Sequence, residues 1–128
     1  MILDSSAVIA VLFREKEHER LEERMAEADS IAIGAPTLFE ADMVATGLYE
    51  QRGHDLLAHF LEEQAIQVMS FDEPHWEVAI EAFDRYGKGR HPAALNLGDC
   101  MTYASAQVAR QSLLFIGNDF ARTDIAPA

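Results

Sequence analysis

Residues 1–13 read MILDSSAVIAVLF. Three apolar residues lead directly to a carboxylate, Asp4, and a second apolar run begins at Ala7. So short a run before an acid predicts a buried strand over residues 1–3. Residues 7–13 then predict a small apolar helix. Strand, acid and helix in that order open an α/β unit, and they pose the question of what the acid does between two core-bound segments.

The same alternation continues down the chain. Residues 17–28, EHERLEERMAEA, predict a helix, with Lys16, Arg20 and Arg24 at steps of four among glutamates on a solvated face. Residues 30–35, SIAIGA, predict a strand buried on both sides. Pro36 then opens a helix over 37–51 that ends by Gly53, and a separate helix covers 55–64. Residues 66–71, IQVMSF, predict a third strand. A helix over 72–86 has Asp72 as N-cap and Pro74 in its first turn. In it Trp76, Ala79, Ile80 and Phe83 fall at i, i+3, i+4 and i+7, the pattern of one core-facing stripe. The stretch GKGRHPAALN reads as a flexible loop, and residues 97–111 as a helix rich in small side chains. LLFIG, residues 113–117, predicts a fourth strand, residues 118–122 a turn, and Ile125 the start of a last edge strand. Strands that alternate with helices and read as continuous apolar runs imply a parallel sheet covered on both faces.

The 128 residues fit one domain, residues 1–128, with no linker composition and no internal repeat to divide it. The N-terminus lacks a basic n-region, and Asp4 falls where the apolar core of a signal peptide would begin. The apolar run 7–13 is too short to cross a bilayer. A single cysteine, Cys100, excludes an intramolecular disulfide. These features lead us to expect a cytoplasmic protein without a membrane partner. The formal net charge of −12 argues against a nonspecific nucleic-acid binder and favours a basic partner or a bound cation.

In parallel sheets ligands bind outside the carboxyl ends of the strands. Asp4 follows the first strand, Glu40 lies in the first turn after SIAIGA, and Asp119 follows LLFIG. Asp99 opens the helix leading into the fourth strand and reaches the same end if that helix runs antiparallel to the strands. Singly, Asp4 and Asp119 read as N-caps, and Glu40 and Asp99 as acids complementing a helix dipole. Jointly, four carboxylates in one crevice repel one another and call for a cation. Oxygen-only ligation suits Mg²⁺ or Mn²⁺, and no paired His/Cys spacing supports zinc. Divalent ions held this way suit phosphodiester hydrolysis, because they activate water and stabilise a leaving oxygen.

At these residues the chain resembles the PIN-domain ribonucleases and, more narrowly, the VapC toxins of bacterial type II toxin–antitoxin systems. The matching pieces are MILDSSA, TLFEAD around Glu40, YGKGRHPAALNLGDC before and including Asp99, and LLFIGNDFARTDI. Together they span essentially the whole chain. The resemblance implies a single α/β/α sandwich with a mostly parallel sheet of about five strands. It implies an Mg²⁺-dependent endoribonuclease, with Mn²⁺ able to substitute, whose catalytic acids are Asp4, Glu40, Asp99 and Asp119. Asp4 and Asp99 would be direct metal ligands, while Glu40 and Asp119 would act partly through water. Ser6 matches a small polar position that supports the site, and it reads equally well as a helix-start hydroxyl. Asp124 reads as a turn carboxylate, and Asn118 stays outside the metal set. The resemblance further implies a tRNA or ribosomal RNA substrate, a VapB-type antitoxin that blocks the acids with a basic side chain, and a homodimer.

Lys88, Arg90 and His91 lie in the loop before Asp99, where they could grip phosphates, or they are simply solvated. Arg122 is a weaker candidate beside Asp119. Other readings are a PIN-domain RNA-processing nuclease without a toxin role and a phosphoacceptor receiver-like domain. The receiver fold would need a second acid after the first strand and a late lysine, whereas Ser5 and Ser6 follow Asp4 and LLFIGNDF has no lysine. A haloacid-dehalogenase-type phosphatase would need an acid at residue 6. A non-enzymatic binding module would leave the four acids unexplained. Cys100 reads as a buried helix thiol, and His18, His54, His59 and His75 carry no assigned role.

Overall fold

A computed structural model describes all residues 1–128. The chain runs β1 (Ile2–Leu3), α1 (Ser5–Leu12), α2 (His18–Ala26), β2 (Ala32–Gly34), α3 (Ala35–Glu63), β3 (Gln67–Met69), α4 (Glu73–Tyr86), α5 (Leu97–Ala109) and β4 (Leu113–Leu114). A 3₁₀ turn at Phe120–Arg122 follows. The strands form one sheet in the order β3-β2-β1-β4, with every pair parallel. The opening strand is therefore central, flanked by β2 and β4.

Side chains alternate across a strand, so adjacent residues serve opposite layers. Leu3, Ile33 and Leu114 face a core built with α1, α2 and α3, including Val8, Leu21, Leu57 and Phe60. Ile2 and Leu113 face a second core with Tyr86, Leu95, Tyr103 and Phe120. Both faces of the central strands are thus covered, which is why these strands read as unbroken apolar runs. No helix is long and apolar enough to cross a membrane.

Three expectations need correction. The sheet has four strands rather than about five. The segment after Ile125 contributes only one parallel bridge, Leu113 to Pro127, because backbone pairing there is limited to Leu113 N–H to Ala126 O and Ala128 N–H to Leu113 O. Gly53 does not end a helix. The break in α3 falls at Tyr49 and Glu50, which leave helical dihedrals, with Glu50 at φ 53°. Gly53 is instead buried where its backbone meets Ala45 O, a spot that a Cβ would overlap. Trp76 and Ile80 do not face the core but are 60% and 48% exposed, and α4 turns His75, Ala82 and Tyr86 inward. Ala79 and Phe83, the other two members of the expected stripe, do pack against the α5-side core, so the stripe is half right and its centre lies toward Ala82. The stretch before α5 is a loop, as expected. It is a run of turns closed by a Gly87–Leu95 bridge, with Gly89 at φ 83°.

Candidate active site

Asp4 leaves β1 with its N–H still donating to Leu114 O at 3.0 Å. Its Oδ2 accepts from the Ser6 N–H at 3.0 Å and the Ser6 hydroxyl at 2.5 Å. The same Ser6 oxygen accepts from the Ile116 N–H at 3.1 Å. Asp4 therefore caps α1, and Ser6 ties the carboxylate to the strand beside it. Burial pushes the Asp4 carboxyl above its usual range. Hydrogen bonds from Ser6 and Thr102 oppose the shift, and the Glu40 charge adds to it. Behind Asp4, the buried hydroxyls of Thr37 and Thr102 bond each other at 2.8 Å.

Glu40 falls in the second turn of α3, because the helix begins at Ala35. The Ser5 hydroxyl donates to Glu40 Oε1 at 2.5 Å. Glu40 Oε2 occupies the place a Cβ would take at Gly98. The lack of a side chain at 98 therefore admits Glu40 to the start of α5, next to Asp99. Asp99 is the third residue of that helix and shares a reciprocal cap with Asn96. Its Oδ2 accepts from the Asn96 N–H at 3.0 Å, and its own N–H donates to Asn96 Oδ1 at 2.9 Å. The Asp99 carboxyl is pushed up to about 6, first by burial and then by the charges of Asp4, Asp119 and Glu40. Asp119 opens the 3₁₀ turn after β4 without a side-chain capping bond, so it is not a cap.

All four expected acids thus stand at the carboxyl end of the sheet, where Asp99 feels the charges of the other three and Asp4 feels that of Glu40. None forms an ion pair with a basic side chain. No three acids, histidines or cysteines stand at common metal-ligand spacing. The donor set is oxygen only, crowded with negative charge and without a protein cation. That chemistry fits a hard divalent ion held by one or two carboxylates and completed by water. Asp4 and Asp99 are the residues that could hold such an ion.

Arg90 lies over the Phe83 ring at 4.9 Å and 3.8 Å from Asp84. His91 packs edge-on against Tyr86 and accepts from the Ala93 N–H at 3.0 Å. Lys88 is exposed, and Arg122 donates to Pro92 O at 3.1 Å, joining the segment after Asp119 to the same loop. Cys100 is buried. Sequence reasoning missed Ser5, Thr37, Thr102 and Gly98. The only available signal was adjacency, since Ser5 adjoins Asp4 and Gly98 adjoins Asp99. Asp124 proves to be more than a turn carboxylate, because it accepts from the Tyr103 hydroxyl at 2.6 Å.

A family model described as PIN domain matches residues 1–126. Ribonuclease VapC36 of Mycobacterium tuberculosis is 44% identical over 126 residues, covering 98% of this chain and 91% of that one. Ribonuclease VapC42 of the same species is 37% identical over 129 residues, covering 100% and 98%. Among solved structures, M. tuberculosis VapC20, described as a sarcin-ricin loop cleaving toxin, superposes with a TM-score of 0.80 at 13% identity, covering 99% and 97%. VapBC2 from Rickettsia felis, bound to a DNA fragment from its promoter, gives 0.76 at 16% identity, covering 98% and 94%.

Proposed function

The chain belongs to the PIN-domain family and within it to the VapC ribonucleases, and from that premise we propose that it is the endoribonuclease toxin of a type II toxin–antitoxin pair. The observation that carries the reading is the convergence of Asp4, Glu40 and Asp119 on Asp99, which feels all three charges and is met by no basic side chain. In this reading Asp4 and Asp99 hold Mg²⁺, or Mn²⁺ in its place. The ion supplies activation of water and stabilisation of the leaving oxygen of a phosphodiester. Ser6 keeps Asp4 oriented, Ser5 keeps Glu40 turned toward α5, and the Asn96 N–H holds one oxygen of Asp99. Glu40 and Asp119 would add negative charge to the site and act on the ion partly through water.

RNA approaches along Lys88, Arg90, His91 and Arg122, which share the loop before α5 and the turn after Asp119. Unpaired segments of tRNA or ribosomal RNA in the cytoplasm are the substrate class, since so few cations grip a duplex weakly. A VapB-type antitoxin and a second copy of the chain are the protein partners. Exposed apolar side chains beside the acids support docking there: Phe39, next to Glu40, is 68% exposed and Leu97, two residues before Asp99, is 79% exposed.

The test is cleavage of total RNA by purified protein with Mg²⁺ or Mn²⁺, with and without EDTA, with cleavage sites mapped by sequencing. Discrete metal-dependent cuts that disappear in Asp4→Ala support the reading. A folded Asp4→Ala protein that cuts at the wild-type rate refutes it.

A further inference from the structure

Three of the four site acids are held by hydrogen bonds to their own carboxylates: Asp4 from Ser6, Glu40 from Ser5 and Asp99 from the Asn96 N–H. The Asp119 side chain has no such bond. Its place depends on the backbone of residues 117–125. Phe120 and Ile125 bury their side chains in the α5-side core, which fixes the depth of that segment. Apolar contacts are not directional, and the other directional bonds nearby, Arg122 to Pro92 O and the backbone of Ala126 and Ala128 to Leu113, tie this stretch to the loop before α5 and to β4 rather than to α5 itself.

A directional contact is present. The Tyr103 hydroxyl donates to Asp124 Oδ1 at 2.6 Å. Gln107 Nε2 donates to the Tyr103 oxygen at 3.1 Å. On the other side Arg85 lies 3.4 Å from Asp124 Oδ2 and donates to the Tyr86 hydroxyl at 2.7 Å. Tyr103 stands four residues after Asp99 on α5, one helical turn or about 6 Å along the axis. The helix that presents Asp99 thus also grips the segment that presents Asp119.

We propose that Tyr103 and Asp124 are a positioning pair that fixes Asp119 relative to Asp99 and so sets the affinity of the site for its divalent ion. The inference rests on the proposed metal-dependent activity. The pair is durable across ordinary pH. The Tyr103 hydroxyl is pushed up to about 12, by burial first and then by Asp124, so it stays a donor. The Tyr103 hydrogen bond holds Asp124 below the usual carboxylate range, so it stays an acceptor.

The test is Mn²⁺ binding to the full chain, followed by electron paramagnetic resonance without RNA, with thermal denaturation alongside. Loss of a group that orients a metal's ligands weakens binding by about tenfold or more. Tyr103→Phe and Asp124→Ala are each expected to raise the Mn²⁺ dissociation constant by about that factor, and the double variant by no more than either alone. Asp124→Asn keeps an acceptor for the tyrosine and is expected to stay within about twofold of wild type, as is Gln107→Ala, which leaves the clasp intact. Unchanged Mn²⁺ affinity in Tyr103→Phe and Asp124→Ala overturns the inference, including when their melting temperatures fall, since the pair then serves stability alone. In that case wild-type binding and cleavage still stand. A wild-type protein that neither binds Mn²⁺ nor cleaves RNA overturns both.

Discussion

Asp99 sits where fold stability and the proposed chemistry oppose each other. Its carboxyl titrates near 6 in the folded chain against an ordinary 3.8. Between those values the folded state holds a proton that the unfolded state has released. Stability therefore falls as pH rises through that window and is flat above it. A shift of this size corresponds to about 3 kcal/mol in full, reduced to about 1–2 kcal/mol for a half-exposed group. Asp99→Asn keeps an acceptor for the Asn96 N–H and removes the charge. In EDTA its melting temperature should exceed that of wild type at pH 7, with the difference shrinking toward pH 4, while cleavage is lost. A difference that stays constant from pH 4 to pH 7 would rule out the buried charge as the cause. Gly98 gives a second test at this scale. In Gly98→Ala the new Cβ displaces the Glu40 carboxylate, the far end of a flexible side chain. The fold should keep or gain stability from helix propensity, while cleavage falls by about tenfold or more. Full activity in that variant would remove Glu40's approach to α5 from the account.

At the scale of elements, the break in α3 is where local signals misled and packing decided. Its two halves fold back at Tyr49 and Glu50 so that Gly53 meets Ala45 O. Gly53→Ala forces a backbone clash and should cost about 1–3 kcal/mol, read as a lower denaturation midpoint. Gly47, in the same helix with nothing within 4 Å of where a Cβ would stand, offers the contrast. Gly47→Ala should stabilise by about 0.5–1 kcal/mol. If both substitutions moved stability alike, close packing at Gly53 would not be its role. The same element shows what sequence can reveal. β1, β2 and β4 were legible because burial on both faces leaves an unbroken apolar run, as in residues 1–3 and SIAIGA. The acids at their ends were legible because strand termini deliver side chains to one edge. The fold-back, the outward turn of Trp76 and the supporting roles of Ser5, Thr102 and Gly98 were not. Each depends on which neighbour the folded chain brings alongside, and apart from the adjacency of Ser5 to Asp4 and Gly98 to Asp99 the local sequence does not announce it.

Across the whole molecule the charge is lopsided, with 22 acids against 10 lysines and arginines. Such a protein repels polyanions unless its cations are gathered where RNA lands. Arg85, Lys88, Arg90 and Arg122 are gathered around the loop before α5 and the segment after Asp119, although Arg85 and Arg90 are partly engaged by Asp124 and Asp84. Four phosphate contacts on a single strand release counterions with a log–log salt slope of about −3, and engaged cations make it shallower. Binding of a single-stranded RNA to the Asp99→Asn protein in EDTA, titrated from low to moderate salt by fluorescence anisotropy, should show a slope no steeper than about −3. Lys88→Ala should flatten it by about 0.7. A slope of about −6 would require cations from elsewhere on the surface and would displace this patch as the landing site. A shallow slope with measurable affinity would mean that discrimination rests on RNA shape and unpaired bases, the one route to selectivity open to so acidic a nuclease.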